Sequence, residues 1–449
     1  MKDNYLKIEK HVKNTFSKGH FLFTLLICMG IAQLGNAQQD KSFITKGKQI
    51  KVSEFNKEIE HLRNMSGVPA ISLAVIEDNK VVFSNVYGYK QMDKKIKADE
   101  NTVFEACSLT KPFLISVIYQ LVEEGRLDLD KPISHYLKSY EKLDHDKRTK
   151  LVTTRMILSH TSGIENWKRY NDPDVLEFLS DPGEKFVYSG EGFEYLASAV
   201  EVILNEQYFD YITRMVLKPL GLKNTVMEIA DKSGDNVKTR GATDNYAFGH
   251  GVLGGEQRKY MLTKEDKIPG GLIHTTAGDY AKLIVSFFDG SLVSKKSVAE
   301  LQKPIVKLYE FGDINVSMSS GLELKVLPND TIVGFSGSNF GYKAEFLYSI
   351  KSKRGFVYFT NSDLGKTMLA RINELTSGFD LDLYNPDFQT FYPVTLDMIR
   401  VYREDGESEM FRQLISLKEK GNLKKDNLRE LSQVFEEKGE KIVKRILAL

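Results

Sequence analysis

The chain reads Phe104-Glu105-Ala106-Cys107-Ser108-Leu109-Thr110-Lys111-Pro112-Phe113 between an alternating, strand-like run and a long amphipathic helix. This segment contains Ser-x-x-Lys, and positions i and i+3 share one face of a helix, so Ser108 and Lys111 can point into the same cleft. A serine hydroxyl is a weak nucleophile until a neighbouring base takes its proton. A lysine can do this where burial or a second cation disfavours its charged form. At a helix start, the N–H of Ser108 would also point toward a developing oxyanion. The segment therefore predicts nucleophilic catalysis, although Ser-x-x-Lys alone is also compatible with a solvated helix turn.

Composition limits the other classes of function. The chain has 449 residues, 41% hydrophobic and 27% charged, with a net charge of +1. That length suits one large domain or two moderate ones. A net charge this small creates no global field that would favour a nucleic-acid partner. Of the two cysteines, Cys28 lies in the N-terminal segment, so a processed chain would keep only Cys107 and form no internal disulfide.

The N-terminus has the pattern of an export signal. Five lysines fall within residues 1–20, an apolar run follows at residues 21–32, and Gly35-Asn36-Ala37 offers small residues at a cleavage site. The pattern predicts a signal peptide over residues 1–37 and a periplasmic or secreted protein. The apolar run is short for a membrane span, so no stable span is expected after cleavage. An uncleaved membrane anchor is the alternative.

The rest of the chain predicts strands at both ends of a domain with helices between them. Residues 38–52 are polar and are expected to be loose. Helices are expected at residues 53–65 and from Ser108 to Gly125, and the region 151–230 looks largely helical. The predicted strands lie at about residues 70–76, 81–87, 321–326, 331–335, 342–350 and 355–360. This order indicates an α+β fold (an α/β sandwich), with an antiparallel sheet closed by its first and last strands, flanked by helices and placed beside an all-helical lobe.

Residues 392–449 differ in character from the rest of the chain. Charged residues dominate, and apolar residues recur at helical spacing, which predicts three or four short helices. We therefore divide the chain into a signal peptide (1–37), a main domain (38–391) and a helical C-terminal extension (392–449). The extension either docks on the main domain or binds a protein partner.

Several further segments occur in a characteristic order with Ser108-Leu109-Thr110-Lys111. They lie at residues 67–75, 120–130, 158–163, 182–189, 219–222 and 270–272. In this order they resemble the serine β-lactamase and penicillin-binding protein-like hydrolases, particularly the branch of class C β-lactamases, D-stereospecific peptidases and related esterases. The resemblance covers roughly residues 55–375 and implies a β-lactamase/transpeptidase-like fold.

The resemblance also implies roles for individual residues. Ser108 matches the nucleophile and Lys111 its partner base. Tyr188 matches the tyrosine of the family's Tyr-x-Asn motif, which relays the proton between the serine and the leaving group. The third residue of that motif is Gly190 here, so the usual amide is missing. Glu191 is next in line and could supply a polar contact in its place.

A second departure occurs at Phe335-Ser336-Gly337-Ser338. The family has Lys or His, then Thr or Ser, then Gly, and the cation helps to hold the substrate's carboxylate. Phe335 cannot supply that charge, whereas Ser336 keeps a hydroxyl. Ser338 can still offer its backbone N–H as the second oxyanion donor. We therefore expect poor β-lactam hydrolysis and a less anionic substrate.

Three reactive side chains are interpreted as structural. His160 and His250 lie in loops, and Cys107 is expected to pack inward, away from Ser108. The sequence has no His-Glu-x-x-His, no paired cysteine set and no phosphate-binding glycine loop, so neither a metal nor another cofactor is expected.

The sequence thus predicts an exported serine hydrolase that forms an acyl intermediate on Ser108. Its substrate would be a small molecule or peptide with an ester or peptide amide bond. The alternative is a catalytically impaired family member that acts as a binding or sensor module through its C-terminal helices.

Overall fold

The computed structural model describes residues 41–166, 175–230, 237–240, 245–254, 257–258, 272–381 and 393–449. The predicted signal segment, residues 1–37, and Gly270-Gly271 of the last family segment lie outside the described residues. The fold divides into two compact units, with the boundary between Ile59 and Glu60. The further division expected at residue 391 stays a prediction.

The smaller unit contains a hairpin and the start of a helix. Its elements are β1 (Ser42–Thr45), β2 (Lys48–Lys51) and α1 (Val52–Met65), which runs across the boundary. Lys46 and Gly47 both have positive φ, 51° and 68°, as a two-residue turn of type I′ requires. Phe43 packs its ring edge-on against Phe55, with centroids 5.1 Å apart. The expectation that residues 38–52 are loose is therefore wrong for the hairpin, because this turn and this aromatic pair order it.

The larger unit is rich in short strands. In chain order they are β3 (Ala70–Glu77), β4 (Lys80–Gln91), β5 (Ile96–Lys97), β6 (Phe104–Glu105), β7 (Val226–Ala230), β8 (Val237–Arg240), β9 (Gly249–His250), β10 (Gln257–Arg258), β11 (Leu272–Thr275), β12 (Val306–Phe311), β13 (Ile314–Met318), β14 (Glu323–Val326), β15 (Thr331–Asn339), β16 (Tyr342–Ser349) and β17 (Gly355–Thr360).

Nine of these strands form one antiparallel sheet in the order β12-β13-β14-β15-β16-β17-β3-β4-β5. The last strand, β17, lies beside the first long strand, β3, which confirms the predicted antiparallel sheet with its first and last strands as neighbours. Both are almost completely buried, as their continuous apolar sequences require. The hairpin β12–β13 was not predicted, because Lys307 and Glu310 interrupt its apolar residues.

Along the chain, the described α-helices of the larger unit lie between the strands and after the last strand. They are α2 (Lys111–Glu123), α3 (Thr154–Leu158), α4 (Gly190–Leu204), α5 (Tyr208–Ile212), α6 (Ala277–Phe288), α7 (Lys295–Leu301), α8 (Leu369–Leu375), α9 (Pro393–Asp405), α10 (Glu407–Glu419), α11 (Lys425–Val434) and α12 (Glu440–Leu447). Short 3₁₀ turns lie at Cys107–Thr110, Ile133–His135, Lys147–Leu151, Asp363–Met368 and Glu436–Lys438, and a π-helical turn at Thr213–Leu217.

Two helices form the core around the reactive segment. α2 was expected to be amphipathic, but all residues from 111 to 119 are buried, so it is a central helix with apolar surroundings on every side. α6 packs on the sheet, where the ring of Tyr280 lies 5.9 Å from Phe346 and 5.5 Å from Phe359. A separate four-stranded sheet, β6-β11-β7-β8, lies next to the start of α2.

The C-terminal region confirms the predicted group of short helices, with four from α9 to α12. Arg403 of α9 donates to the backbone carbonyl of Gly67 at 2.7 Å, so the first of them contacts the loop before β3. In the part of the chain that the structure describes, no helix has both the length and the apolar character needed to cross a bilayer.

Candidate active site

Ser108 lies in a tight turn between β6 and the central helix. The N–H of Ala106 donates to β11 at 2.8 Å, which fixes the strand end. Cys107 then adopts a positive φ of 51°, and the chain turns through Cys107–Thr110 into α2. Leu109 is completely buried. With its neighbours anchored in this way, the half-buried Ser108 presents its hydroxyl to a cleft.

Tyr188 and Lys111 both approach the hydroxyl of Ser108. The Oγ of Ser108 lies 2.7 Å from the Oη of Tyr188, and the Nζ of Lys111 donates to the same Oγ at 3.4 Å. The Lys111 ammonium also lies 5.1 Å from the ring centroid of Tyr188 and 5.3 Å from that of Phe193. The phenol oxygen is thus the nearer partner for the serine proton, and the ammonium is close enough to stabilise negative charge on it.

His160 holds Tyr188 in place through hydrogen bonds to the residues that precede and follow it. Its carbonyl accepts the N–H of Val187 at 2.7 Å, and its Nδ1 accepts the N–H of Ser189 at 3.1 Å. Its ring stacks on the Tyr188 ring, with centroids 4.3 Å apart. Burial, and then the charge of Lys111, hold the pKa of His160 well below its usual value. A neutral imidazole that accepts at Nδ1 carries its proton on Nε2. The residue interpreted as a structural loop histidine therefore lies directly against the proposed catalytic tyrosine.

The other wall of the site is β15. Gly337 faces the Ser108 turn, where a Cβ would lie 2.8 Å from the carbonyl oxygen of Ala106 and 3.0 Å from the Cβ of Cys107. Only glycine permits this approach without a shift of the backbone. Phe335 lies on the same side of the strand, and its side chain is buried in the core at 6% exposure. Its side chain therefore does not line the cleft, whereas Ser336 and Ser338, on the opposite side of the strand, do.

One edge of β15 is left open beside Ser108. Pairing with β14 covers Thr331–Gly334, whereas pairing with β16 continues to Asn339. Alternate N–H groups of an antiparallel strand point to opposite edges. The unpaired stretch around Ser338 can therefore offer a backbone N–H toward a carbonyl on Ser108, as the sequence predicts for the second oxyanion donor.

The cleft in front of Ser108 has a volume of about 580 Å³, which is within the range for a small ligand. Most of its lining residues are polar. They are Ser108, Asn166, Tyr188, Ser336, Ser338, Asn339, Phe340, Lys343 and Asp363.

Asn166 takes a position near the missing motif amide. Its Oδ1 accepts the N–H of Gly190 at 2.9 Å, and its side chain lines the cleft. Glu191, the replacement suggested by the sequence, instead pairs with Lys142 at 2.9 Å and is buried. The amide next to Gly190 therefore comes from a loop 22 residues before Tyr188, which no motif spacing could have indicated.

A paired cation also lines the cleft. The Nζ of Lys343 lies 2.5 Å from Asp363 and donates to the carbonyl of Asn339 at 3.0 Å. Because its charge is matched by a carboxylate, Lys343 does not reproduce the free cation that Phe335 replaces.

The other two reactive side chains lie outside the cleft lining. His250 is buried, and its Nδ1 pairs with the carbonyl of Asn361 at 3.0 Å. Cys107 is buried, and burial together with the charge of Glu105 raises the pKa of its thiol. A thiol kept protonated in this way is a poor nucleophile.

Comparison with known proteins identifies the family to which the chain belongs. The model of the Beta-lactamase family matches residues 55–376. The chain belongs to the beta-lactamase family. This confirms the resemblance to serine β-lactamases and penicillin-binding proteins that the sequence segments indicated.

Proteins similar to this chain carry several different names. Protein flp from Staphylococcus aureus (strain MW2) is 31% identical over 185 residues, which is 38% of this chain and 37% of that protein. The match thus spans little more than a third of the curated relative. Among solved structures, an octameric penicillin-binding protein homologue from Pyrococcus abyssi has a TM-score of 0.59 at 22% identity, covering 73% of this chain and 78% of that one. The D-amino acid amidase from Ochrobactrum anthropi SV3 has a TM-score of 0.56 at 20% identity, covering 72% and 96%. These structural matches confirm the predicted β-lactamase/transpeptidase-like fold.

Proposed function

We propose that this protein is an exported serine hydrolase that cleaves an ester or peptide amide bond through an acyl intermediate on Ser108. The observation that carries the proposal is the 2.7 Å contact between Ser108 and Tyr188, with Lys111 at 3.4 Å from the same hydroxyl. This trio lies at an open cleft in a member of the beta-lactamase family. An activated serine, a proton carrier and a nearby cation are what acyl transfer requires.

In the proposed reaction, Tyr188 acts as a phenolate that the Lys111 ammonium stabilises, and it accepts the proton of Ser108 while the Oγ of Ser108 attacks the substrate carbonyl. The N–H groups of Ser108 and Ser338 hold the oxyanion. Tyr188 then gives the proton to the leaving group, which departs as an alcohol or amine. A water molecule attacks the acyl group by the reverse sequence of proton transfers and frees the serine. Lys111 keeps a positive charge beside the phenol oxygen during both steps.

The charge of the cleft supports a substrate other than a β-lactam. Phe335 supplies no cation, and Lys343 is neutralised by Asp363. A carboxylate next to the scissile bond would therefore find little compensation. We propose weak β-lactamase activity at most, and an ester or peptide amide substrate. The name of the amidase among the structural neighbours fits an amide, although the fold alone does not select the bond.

Export and a protein partner for α9–α12 belong to the same proposal. Removal of residues 1–37 in the producing cell, detected as the N-terminal sequence of the protein recovered from the periplasm or medium, tests export. Recovery only in the cytoplasm with Met1 intact would contradict it.

Steady-state hydrolysis of short p-nitrophenyl esters and of D-aminoacyl p-nitroanilides tests the hydrolase. We expect turnover that is abolished in Ser108→Ala and lowered by about 10²-fold or more in Tyr188→Phe, because the phenol carries the proton in both half-reactions. A folded protein without turnover on either class would overturn the proposal. The binding or sensor module acting through the C-terminal helices would then be favoured.

A further inference from the structure

One serine hydroxyl in the cleft has its proton already engaged. Ser336 on β15 lies directly opposite Glu345 on β16, and its Oγ donates to the Oε2 of Glu345 at 2.5 Å. Ser336 lines the cleft, whereas Glu345 is only 4% exposed. The carboxylate therefore lies behind the hydroxyl, out of reach of a bulky ligand.

Glu345 belongs to a buried group of charged side chains. Lys325 on β14 is 6% exposed and pairs with Glu323 on the same strand. Tyr358 on β17 lies opposite Glu345, and Lys366 from the 3₁₀ turn after β17 acts on it electrostatically. Burial, together with a smaller effect from the charge of Glu323, raises the pKa of Glu345 to about 7, against the opposing effects of Lys325, the hydroxyl on β15 and Lys366. Glu345 is thus ionised above neutral pH and protonated below it.

The ionisation of Glu345 fixes the direction of the hydrogen bond from Ser336. A hydroxyl has one proton and two lone pairs, and an ionised carboxylate can only accept. Above neutral pH, Ser336 must therefore give its proton to Glu345 and presents only lone pairs to the cleft. When Glu345 takes up a proton, it can donate to Ser336 instead, which releases the Ser336 proton toward the ligand.

We infer that the cleft selects substrates that place a hydrogen-bond donor, such as an ammonium or an amide N–H, against Ser336, and disfavours substrates that place a carboxylate there. The inference rests on the proposed function, because it concerns the substrate of the same site. Lys343 does not reverse the preference, since its charge is matched by Asp363 at 2.5 Å. The preference is opposite to the one that a free cation at position 335 would create.

The test uses two matched series of esters that differ only in one group. The acyl series consists of p-nitrophenyl esters of trans-cyclohexanecarboxylic acid that carry an aminomethyl, a carboxy or a methyl group at the far ring carbon. The alcohol series consists of phenyl acetates with the same three groups in the meta position. Both are needed because either side of the scissile bond can lie against Ser336. At each pH, the ratio of kcat/KM for the ammonium and carboxylate probes cancels the pH dependence that their common chemistry imposes.

We expect that ratio to be about tenfold or more at pH 8 in one series, mainly through KM, which is the scale of one hydrogen bond to a charged group. It should fall toward one at pH 6 as Glu345 becomes protonated. In Glu345→Gln, whose amide can donate to Ser336, the ratio should be near one at pH 8. In Ser336→Ala, which keeps Glu345, the ratio at pH 8 should also be near one. The matched control is Glu323→Gln, which removes a carboxylate from the same group without touching Ser336 and should keep the preference.

A ratio near one at pH 8 in both series would overturn the inference, as would a preference that persists in both Glu345→Gln and Ser336→Ala. The methyl probes report separately on the proposed function. If wild type hydrolyses them and Ser108→Ala does not, the hydrolase stands whatever the ratio. If no ester of either series is hydrolysed, the substrate inference fails, and the proposed function fails with it if the D-aminoacyl p-nitroanilides are also left intact.

Discussion

Replacing Lys111 with methionine should make the protein more stable and nearly inactive. Lys111 is the first residue of α2, and its side chain is 8% exposed. Within the described residues, its Nζ has one long hydrogen bond to Ser108 and two aromatic faces as neighbours, but no ion pair with a carboxylate. A buried cation at a helix N-terminus destabilises the fold in two ways, because it loses its hydration and because it lies at the positive end of the helix dipole.

The size of the effect follows from these contacts. Methionine has a similar length and helix propensity but no charge. The substitution gives up a weak hydrogen bond and two cation–π contacts, together about 1–3 kcal/mol. It removes a desolvation penalty of several kcal/mol and a dipole term of about 0.3–1 kcal/mol. We expect the free energy of unfolding of Lys111→Met to rise by about 2 kcal/mol, while kcat/KM falls by about 10²-fold or more because no cation remains to assist Ser108 and Tyr188.

Urea unfolding followed by circular dichroism, together with p-nitrophenyl ester hydrolysis, measures both quantities. The control is Lys142→Met, which removes a cation that pairs with the buried Glu191 at 2.9 Å. The free energy of unfolding of that variant should fall by about 2 kcal/mol, because a buried carboxylate is left unpaired. A Lys111→Met protein that is destabilised by more than about 1 kcal/mol would show that the Lys111 charge does not destabilise the fold, and one that keeps wild-type activity would show that this charge does not assist Ser108.

Three further outcomes are expected. Asn166→Ala should lower kcat/KM about tenfold on the same esters, because it removes the Asn166 side-chain amide from the cleft. Adding Gly190→Asn should restore part of the loss. An unchanged kcat/KM would show that the Asn166 amide does not contribute to ester hydrolysis. Gly337→Ala should lower the unfolding free energy by about 1–3 kcal/mol and reduce ester turnover, because its Cβ meets immobile backbone at Ala106; wild-type values for both would contradict the close approach. Between pH 4.5 and 7 the folded protein keeps a proton on Glu345 that the unfolded chain has released, so this group makes stability fall by about 3 kcal/mol as pH rises through that window. The wild-type curve from urea unfolding should show the fall relative to Glu345→Gln, and parallel curves would contradict it.

The residues near Ser108 could be predicted because their placement is local. Ser108 and Lys111 are one turn apart, and a helix places them on one face whatever the rest of the fold does. Tyr188 is 80 residues away along the chain. Only the family resemblance could associate it with Ser108, because its position depends on how the loop at His160 and the start of α4 pack together.

The pairing of Ser336 with Glu345 could have been predicted from the turn residues of the sequence. The prediction ended a strand at residue 335, whereas β15 continues to Asn339 and reverses at Phe340-Gly341 into β16. A two-residue turn at a glycine fixes the register of a hairpin, and that register places residue 336 opposite residue 345. The hairpin at Lys46-Gly47 was missed for the same reason, because its turn residues were not used.

Asn166 could not have been found in this way. It reaches the cleft from a loop, and a loop side chain is positioned by tertiary contacts rather than by the period of a helix or strand. The close approach of Gly337 to Ala106 is likewise a product of packing between distant segments.

Intact-mass spectrometry of the protein with a fluorophosphonate probe detects the covalent bond to the proposed nucleophile itself. We expect one probe adduct per chain, located on Ser108 by peptide mapping and absent from Ser108→Ala. A folded wild-type protein that remains unlabelled, or a Ser108→Ala protein that gains the same adduct, would contradict this expectation.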